Sequence, residues 1–303
     1  MTALGHAPSQ APTPTPAPAD DEPPQRRGLS GYLLMIPGSI WLLLFFVVPT
    51  VTLMASSLYD PSGSLIDGYR MTWAWQNYVE AMKEYGPTFL RSFVYAFIAT
   101  VACVVLGFPL AYAIAFKAGR WRNLLLVAVI APFFTSFLVR TLSWKLLLGD
   151  NGFIVDVVNL VPGLDGVRLL ATPFAVITGL TYNFLPFMVL PLYASLEKID
   201  PRLLEAGNDL YASPATTFRL VTLPLAMPGL VAGTLLTFIP SSGDYINAEL
   251  LGNPTTRMIG NDIQDLFRAN LLPTAAALSV TLMIAIIAMV LVYVRKAGTE
   301  ELL

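Results

Sequence analysis

Two carboxylates, Glu205 and Asp209, stand four residues apart in a charged segment between strongly apolar runs. On a helix this spacing places both side chains on one face, where they can meet the same partner. Four neighbouring apolar residues could fill a groove on that partner: Leu203, Leu204, Leu210 and Phe218. The pattern indicates binding to another protein rather than catalysis, although charges of this kind also occur on loops that only contact solvent.

Catalytic chemistry finds little support elsewhere in the sequence. The single histidine, His6, lies in a proline-rich segment, which disfavours histidine-based triads, metal sites and proton relays. The single cysteine, Cys103, lies in an apolar run, where it reads as a small buried hydrophobe. No Gly-x-x-x-x-Gly-Lys-[Ser/Thr] sequence is present to cradle nucleotide phosphates. We therefore expect no enzyme activity, no cofactor and no metal site in this chain.

Composition places the docking segment in a membrane protein. The chain has 303 residues, of which 55% are hydrophobic and 13% charged, and its mean hydropathy is +0.63. A soluble domain of that composition would be hard to keep in water, so the bilayer is the expected solvent. The net charge of −2 gives no reason to expect a nucleic-acid partner.

Apolar windows of about 19 residues predict an all-α integral membrane protein with six spans. The predicted spans are 31–57, 88–116, 121–140, 172–196, 226–245 and 273–294. The proline-rich residues 1–27 are expected to form a disordered tail, which leaves 28–303 as the transmembrane domain.

The basic residues nearest the spans predict the orientation. If there are six spans, three basic groups lie on one side: Arg26 and Arg27; Lys117, Arg120 and Arg122; Arg295 and Lys296. Positive charge favours the cytoplasmic side, so we expect both termini to be cytoplasmic. The segment 197–224, which contains the paired acids, lies on the same side.

This cytoplasmic segment has the capping residues of an ordered loop. Asp200 precedes Pro201, and Ser213 precedes Pro214, so each pair combines an N-cap with proline at the first helical position. The sequence therefore predicts two short helices that meet near Tyr211 and Ala212.

The same segment resembles the cytoplasmic signature of permease subunits from binding-protein-dependent ABC importers. That signature is roughly Glu-Ala-Ala, three residues, Gly, then nine residues to Leu-Pro. The matching positions are Glu205, Ala206, Asp209, Ala212, Leu223, Pro224 and Pro228. Gly207 replaces the second alanine, and Tyr211 replaces the glycine. If that position requires positive φ, tyrosine is costly there by about 1 kcal/mol.

The resemblance implies that this loop is a coupling helix, which inserts into a cleft on an ATP-hydrolysing subunit. The expected coupling residues are Glu205, Ala206, Gly207, Asp209, Leu210, Tyr211, Ala212, Phe218, Leu223 and Pro224. ATP and magnesium would then be bound by the partner ATPase.

Further segments are similar to the spermidine/putrescine permease group: Gly107 to Tyr112, Ala131 to Phe134, Leu138 to Arg140, and Leu185 to Tyr193. The resemblance implies the type I ABC importer permease fold, with about six transmembrane helices, in the inner or plasma membrane of a prokaryote. It also implies two ATPase subunits, a second and similar permease, and an extracytoplasmic solute-binding protein as partners, with membrane lipid around the complex.

A polyamine cargo would need carboxylates and aromatic faces along its path. Asp244 is the first candidate, and Tyr245, Trp144, Tyr182 and Glu249 are secondary candidates. Asp244 could instead cap a helix or pair with Arg140, and the aromatic residues could only anchor helices at the membrane surface. We expect Arg140 and Lys145 to pair with acids or to extend away from a cationic path.

Other functions remain open at this point. The chain could be an ABC permease for a different small solute, such as a cationic amine, an amino acid or a chelated metal. An ion-coupled transporter or membrane enzyme would need paired intramembrane acids, histidines or an inverted repeat, none of which is evident in the sequence. A membrane scaffold would not need Glu205 and Asp209 on a capped helix.

Overall fold

A computed structural model describes residues 29–64, 66, 68–162 and 166–297. The predicted disordered tail, residues 1–27, lies outside this range. The described residues are mostly helical, and in these ranges β-pairing is limited to isolated bridges. The chain divides into two compact units at Thr50 and Val51.

The first unit holds an apolar helix and ends within the next one. Helix α1 spans Leu29–Leu42, a π-helical turn follows at Leu43–Val47, and α2 spans Val48–Ser56. Met35–Ser56 is apolar and long enough to cross a membrane.

The second unit contains the remaining helices. They are α3 (Gln76–Tyr112), α4 (Arg122–Ile130), α5 (Phe137–Leu148), α6 (Phe153–Asn159), α7 (Pro173–Leu196), α8 (Pro201–Asp209), α9 (Pro214–Thr217), α10 (Leu223–Ser242), α11 (Ile246–Leu251), α12 (Ile259–Arg268) and α13 (Leu272–Ala297). Four stretches here are apolar and long enough to cross a membrane: Gln76–Lys117, Pro173–Leu196, Pro214–Ser242 and Leu272–Lys296. Together with Met35–Ser56 they give five candidate spans among the described residues.

A sixth candidate span is broken, which corrects the continuous helix predicted for 121–140. The segments Gly119–Phe134 and Phe137–Asn159 meet at an angle of 97°. Thr135 and Ser136, between them, have extended ψ angles of 147° and 139°, so the helical hydrogen bonds stop there. Pro132, which has no N–H to donate, lies in the preceding 3-10 turn.

Helices α3, α7 and α10 build the centre of the second unit. One core cluster joins residues from all three: Cys103, Phe108 and Ala111 of α3, Met188, Val189 and Leu192 of α7, and Ala226 of α10. Gly229 lets α10 approach α7 closely, because a Cβ there would lie 2.5 Å from the Pro191 carbonyl oxygen and 2.5 Å from Ser195 Oγ. The central packing therefore depends on backbone proximity as well as on apolar burial.

Candidate functional site

The cytoplasmic loop predicted from sequence is an ordered, capped structure. Asp200 Oδ1 accepts a hydrogen bond from the Arg202 N–H at 2.9 Å and so caps α8. Ser213 Oγ accepts from the Thr216 N–H at 3.2 Å and caps α9. The expectation of two short helices is wrong for the second: α9 runs through a π turn at Phe218–Thr222 into α10. Pro214–Ser242 is therefore one helical element of 29 residues that reaches from the loop into the core.

The tip between α8 and α9 projects apolar side chains into solvent. Leu210 is 80% exposed and Tyr211 is 99% exposed, and Glu205, Ala206 and Asp209 on α8 are exposed as well. Large apolar side chains exposed next to charges are typical of surfaces that bind another protein.

Two residues of the predicted coupling set contact the membrane helices. The Phe218 ring meets the Phe108 ring of α3 edge-on at 5.3 Å and lies 6.5 Å from the Tyr112 ring. Leu223 packs against the core cluster of α3, α7 and α10. Phe218 is 38% exposed, so its contacts with α3 leave part of the ring open to the partner predicted from the sequence. Pro224, the second residue of α10, is exposed, and Ala212 is half-buried.

Gly207 departs from the family's alanine for a reason that the packing supplies. A Cβ on Gly207 would lie 2.9 Å from Thr217 Oγ1 and 3.1 Å from Thr217 Cγ2. Thr217 is buried, and its β-branched side chain has little rotamer freedom in a helix. Glycine at 207 thus permits the close packing of α8 on α9.

We expect Gly207→Ala to lower the free energy of unfolding by about 1 kcal/mol, because overpacking outweighs the helix propensity of alanine. In the Thr217→Ala background the same substitution should be stabilising by a similar amount, since the clashing atoms are gone. Thermal unfolding of the four variants measures this change of sign. Equal effects of Gly207→Ala in both backgrounds would contradict the packing described here.

Tyr211 occupies the left-handed region, as the glycine of the family signature implied. Its φ is +57°, and the neighbouring Ala212 N–H donates to the Gly207 carbonyl at 3.1 Å to close the turn. A non-glycine residue there is strained by about 1 kcal/mol. The Tyr211 ring is almost fully exposed, so side-chain contacts in the described structure do not offset this backbone strain.

Tyr211→Gly is therefore expected to raise the free energy of unfolding by about 1 kcal/mol, since glycine adopts positive φ without strain. Tyr211→Ala also removes the ring but keeps the Cβ, so it should leave stability nearly unchanged. The melting temperatures of both variants in detergent test the difference. A Tyr211→Ala variant as stable as Tyr211→Gly would assign the effect to the ring instead of the backbone.

A polar cluster ties the start of α4 to the base of the loop. Arg122, the first residue of α4, forms an ion pair with Glu197, which directly follows α7. Its Nε also donates to the Tyr193 hydroxyl, and its guanidinium lies 5.1 Å from the centre of that ring. From the sequence, Arg122 was used only as one of the basic residues that predict the membrane orientation. No local pattern indicates its contact with residues so far along the chain.

Asp244, the leading candidate for the substrate path, is buried and caps a helix. Its Oδ1 accepts from the Asn247 N–H at 2.8 Å, beside the first turn of α11. This is one of the two structural alternatives considered from sequence. The other, an ion pair with Arg140, is not formed in the described structure.

Tyr245 and Glu249 lie with Asp244 around α11. The Asn261 Nδ2 group donates to the Tyr245 carbonyl at 2.9 Å and to Glu249 Oε2 at 3.2 Å, so α12 fixes both residues. In the same helix, burial raises the pKa of Asp262 above its usual range, while Arg257 at 3.3 Å acts in the opposite direction. This region therefore holds several carboxyl groups in a fixed arrangement.

A buried hydrogen-bond network links α5, α7 and α11. Asn183 Nδ2 donates to Thr141 Oγ1 at 3.1 Å and to Asn247 Oδ1 at 3.0 Å. All three side chains are almost inaccessible to solvent. Sequence reasoning missed this network, because single polar residues in apolar runs give no sign of their partners.

Trp144 and Tyr182, the remaining candidates, lie together at a different place. Their rings meet edge-on at 5.3 Å and line a cavity of about 290 Å³. Arg140 lines the same cavity. The five predicted path residues thus divide into an acidic group near α11 and an aromatic pair on α5 and α7.

Arg140 has no counter-ion among the described residues, contrary to the expectation that it pairs with an acid or extends outward. It is only 8% exposed, and its Nε and Nη1 lack hydrogen-bond partners. Its guanidinium stacks on two rings, at 5.4 Å from the centre of Phe133 and 5.6 Å from that of Phe137. Such contacts give about 2 kcal/mol when desolvated, less than the cost of burying an unpaired charge.

Comparisons with known proteins agree with this arrangement. The family described as "Binding-protein-dependent transport system inner membrane component" matches residues 88–297. The spermidine/putrescine transport system permease protein PotB of Escherichia coli K12 is 39% identical over 261 residues, which cover 85% of this chain and 94% of that protein. The inner membrane ABC transporter permease protein YdcU of the same organism is 30% identical over 295 residues, 91% of this chain and 92% of that protein.

A solved structure shares the fold at low sequence identity. It is a bacterial alginate ABC transporter in complex with its pentasaccharide-bound periplasmic protein, and one of its chains superposes with a TM-score of 0.68 at 19% identity. The match covers 89% of this chain and 94% of that one. The all-α architecture, with its five or six apolar helices, is thus the fold of an ABC importer permease, and the chain is a transport subunit rather than an enzyme. This chain belongs to the family of inner membrane components of binding-protein-dependent transport systems.

Proposed function

We propose that this chain is one permease subunit of an ATP-driven importer for polyamines and forms half of an alternating-access path. The observation that supports polyamines as the cargo is the similarity to a spermidine/putrescine permease, which is 39% identical over 85% of the chain. The carboxyl groups of Asp244 and Glu249 and the rings of Tyr245, Trp144 and Tyr182 supply the chemistry that a polyamine requires.

The loop 197–224 is proposed as the coupling element. Its exposed tip of Leu210 and Tyr211, with Glu205 and Asp209 beside it, fits insertion into a groove on an ATPase subunit. Because α9 and α10 form one helical element, a force on the tip would be transmitted directly to the core of the membrane domain.

The complete transporter would contain two ATPase subunits, a second permease and an extracytoplasmic binding protein. ATP and magnesium would be bound by the ATPases, and this chain would hold no cofactor. The basic residues near the helix ends favour cytoplasmic termini, and in that orientation the coupling loop would lie on the side of the ATPases.

The test is uptake of radiolabelled spermidine by proteoliposomes that contain the assembled complex, its binding protein and ATP. We expect spermidine to stimulate both ATP hydrolysis and uptake, and Glu205→Ala to abolish both while leaving this chain folded. Stimulation by a different solute, with no response to spermidine, would retain the importer and reject the cargo. That outcome would favour an ABC permease for another small solute, such as a different cationic amine, an amino acid or a chelated metal. The relative YdcU, whose name specifies no cargo, is compatible with such an alternative.

A further inference from the structure

The unpaired guanidinium of Arg140 points to a binding partner outside the described chain. Its Nε and Nη1 are buried without hydrogen-bond acceptors, although the rings of Phe133 and Phe137 hold the group in place. An aromatic face attracts the positive charge but accepts no strong hydrogen bond from these N–H groups. A planar guanidinium presents its donors in a fork that matches a carboxylate.

Two hydroxyls on the wall of the cavity beside Arg140 already donate their protons to backbone carbonyls. Thr135 Oγ1 donates to the Pro132 carbonyl at 2.7 Å, and Ser143 Oγ donates to the Val139 carbonyl at 3.0 Å. Both hydroxyls therefore offer only acceptors to the cavity. With a volume of about 290 Å³, the cavity can hold an acidic side chain against Arg140 and the Trp144 ring.

The surface around the cavity is apolar. Three apolar side chains of α5 are exposed beside the cavity or on the neighbouring turns of the helix: Val139, Leu142 and Leu146. An arginine surrounded by exposed aliphatic and aromatic groups is typical of the centre of a protein interface, where rim residues exclude water from the ion pair.

The charge of the proposed cargo decides between sources of the carboxylate. A polyamine carries only positive groups and would be repelled by Arg140, so the cargo does not supply the anion. This step rests on the proposed function. We propose that Arg140 binds a carboxylate side chain of the second permease subunit, which makes this cavity a subunit contact.

Such a contact would explain how a buried cation is tolerated beside an aromatic pair suited to a cationic cargo. The partner's carboxylate neutralises Arg140 and leaves the Trp144 and Tyr182 rings available. It would also attach α5, the helix that follows the 97° break, to the other half of the transporter.

The experiment uses both permeases and the ATPase co-expressed, with Arg140→Glu, Arg140→Met and Lys145→Glu in this chain. Lys145 is an exposed cation on the same helix and provides the matched control. We expect Arg140→Glu to reduce recovery of the second permease about ten-fold, and Arg140→Met to reduce it less, at equal membrane levels of this chain. Lys145→Glu should leave recovery unchanged.

Suppressors of Arg140→Glu, selected after mutagenesis of both permease genes, then identify the partner. We expect an acidic residue of the second permease to be replaced by lysine or arginine. Suppressors confined to acids of this chain would overturn the proposal, as would normal recovery of the second permease with Arg140→Glu.

Acetate binding to the assembled complex that depends on Arg140, measured by calorimetry, would assign the site to a small anion instead. Co-purification does not depend on cargo, so an absence of spermidine uptake by the wild-type complex would reject the proposed cargo separately.

Discussion

Replacing Gly229 with valine is expected to lower the melting temperature of the complex by roughly 10 °C, for a loss of about 3 kcal/mol or more. A Cβ at this position would lie 2.5 Å from both the Pro191 carbonyl oxygen and Ser195 Oγ. The carbonyl belongs to the backbone of α7 and cannot rotate away, so α7 and α10 must separate. That separation would open the core cluster that joins α3, α7 and α10.

Gly38→Ala provides the control, because the added Cβ meets no atom within 4 Å and Gly38 is also in a helix interior. There the substitution should stabilise by about 0.5–1 kcal/mol through helix propensity. Thermal unfolding followed by size-exclusion chromatography measures both changes. An unaltered melting temperature for Gly229→Val would mean that the two helices are farther apart than the structure places them.

The helices that lie entirely in apolar sequence were predictable. The runs 172–196 and 273–294 correspond closely to α7, Pro173–Leu196, and α13, Leu272–Ala297. The start of α3 at Gln76 was missed, since the first turns carry Glu80, Lys83 and Glu84 and a hydropathy window stops at such charges. A helix can extend beyond the bilayer, where charged residues are well solvated.

The break between α4 and α5 had little sign in the sequence. Residues on both sides of Thr135 and Ser136 are apolar, and composition alone cannot report a change in chain direction. Pro132 is consistent with a helix end, but prolines also occur within α7 at positions 186 and 191, where the helix continues.

Local features of the coupling loop were predictable, whereas its long-range contacts were not. The caps at Asp200 and Ser213 follow from adjacent residue types, and the positive φ of Tyr211 was suggested by the glycine of the family signature. The contact of Phe218 with Phe108 depends on which helices pack together. The same holds outside this loop for the stacking of Arg140 on Phe133 and Phe137. Single-sequence patterns carry that information only weakly.

Leu210→Asp is expected to abolish ATP-driven uptake and to weaken association with the ATPase about 30-fold or more, the effect of losing an interface residue worth about 2 kcal/mol. Leu210 is 80% exposed at the tip of the loop, beside Tyr211. If the tip inserts into an apolar groove, a carboxylate there must be desolvated without a partner. The fold itself should lose less than about 0.5 kcal/mol, since the side chain is exposed. Co-purification of the ATPase with this chain measures the loss.

Leu160→Asp is the matched control, because Leu160 is also 80% exposed and follows α6, in the stretch between spans that we predict on the opposite side of the membrane. It introduces the same charge at equal exposure, and it should leave ATPase recovery unchanged. Equal recovery of the ATPase with both variants would exclude the Leu210 tip as the docking element and leave Glu205 and Asp209 as the remaining contacts of α8. Loss with Leu210→Asp alone would instead show that the apolar tip, and not only the paired acids, holds the ATPase.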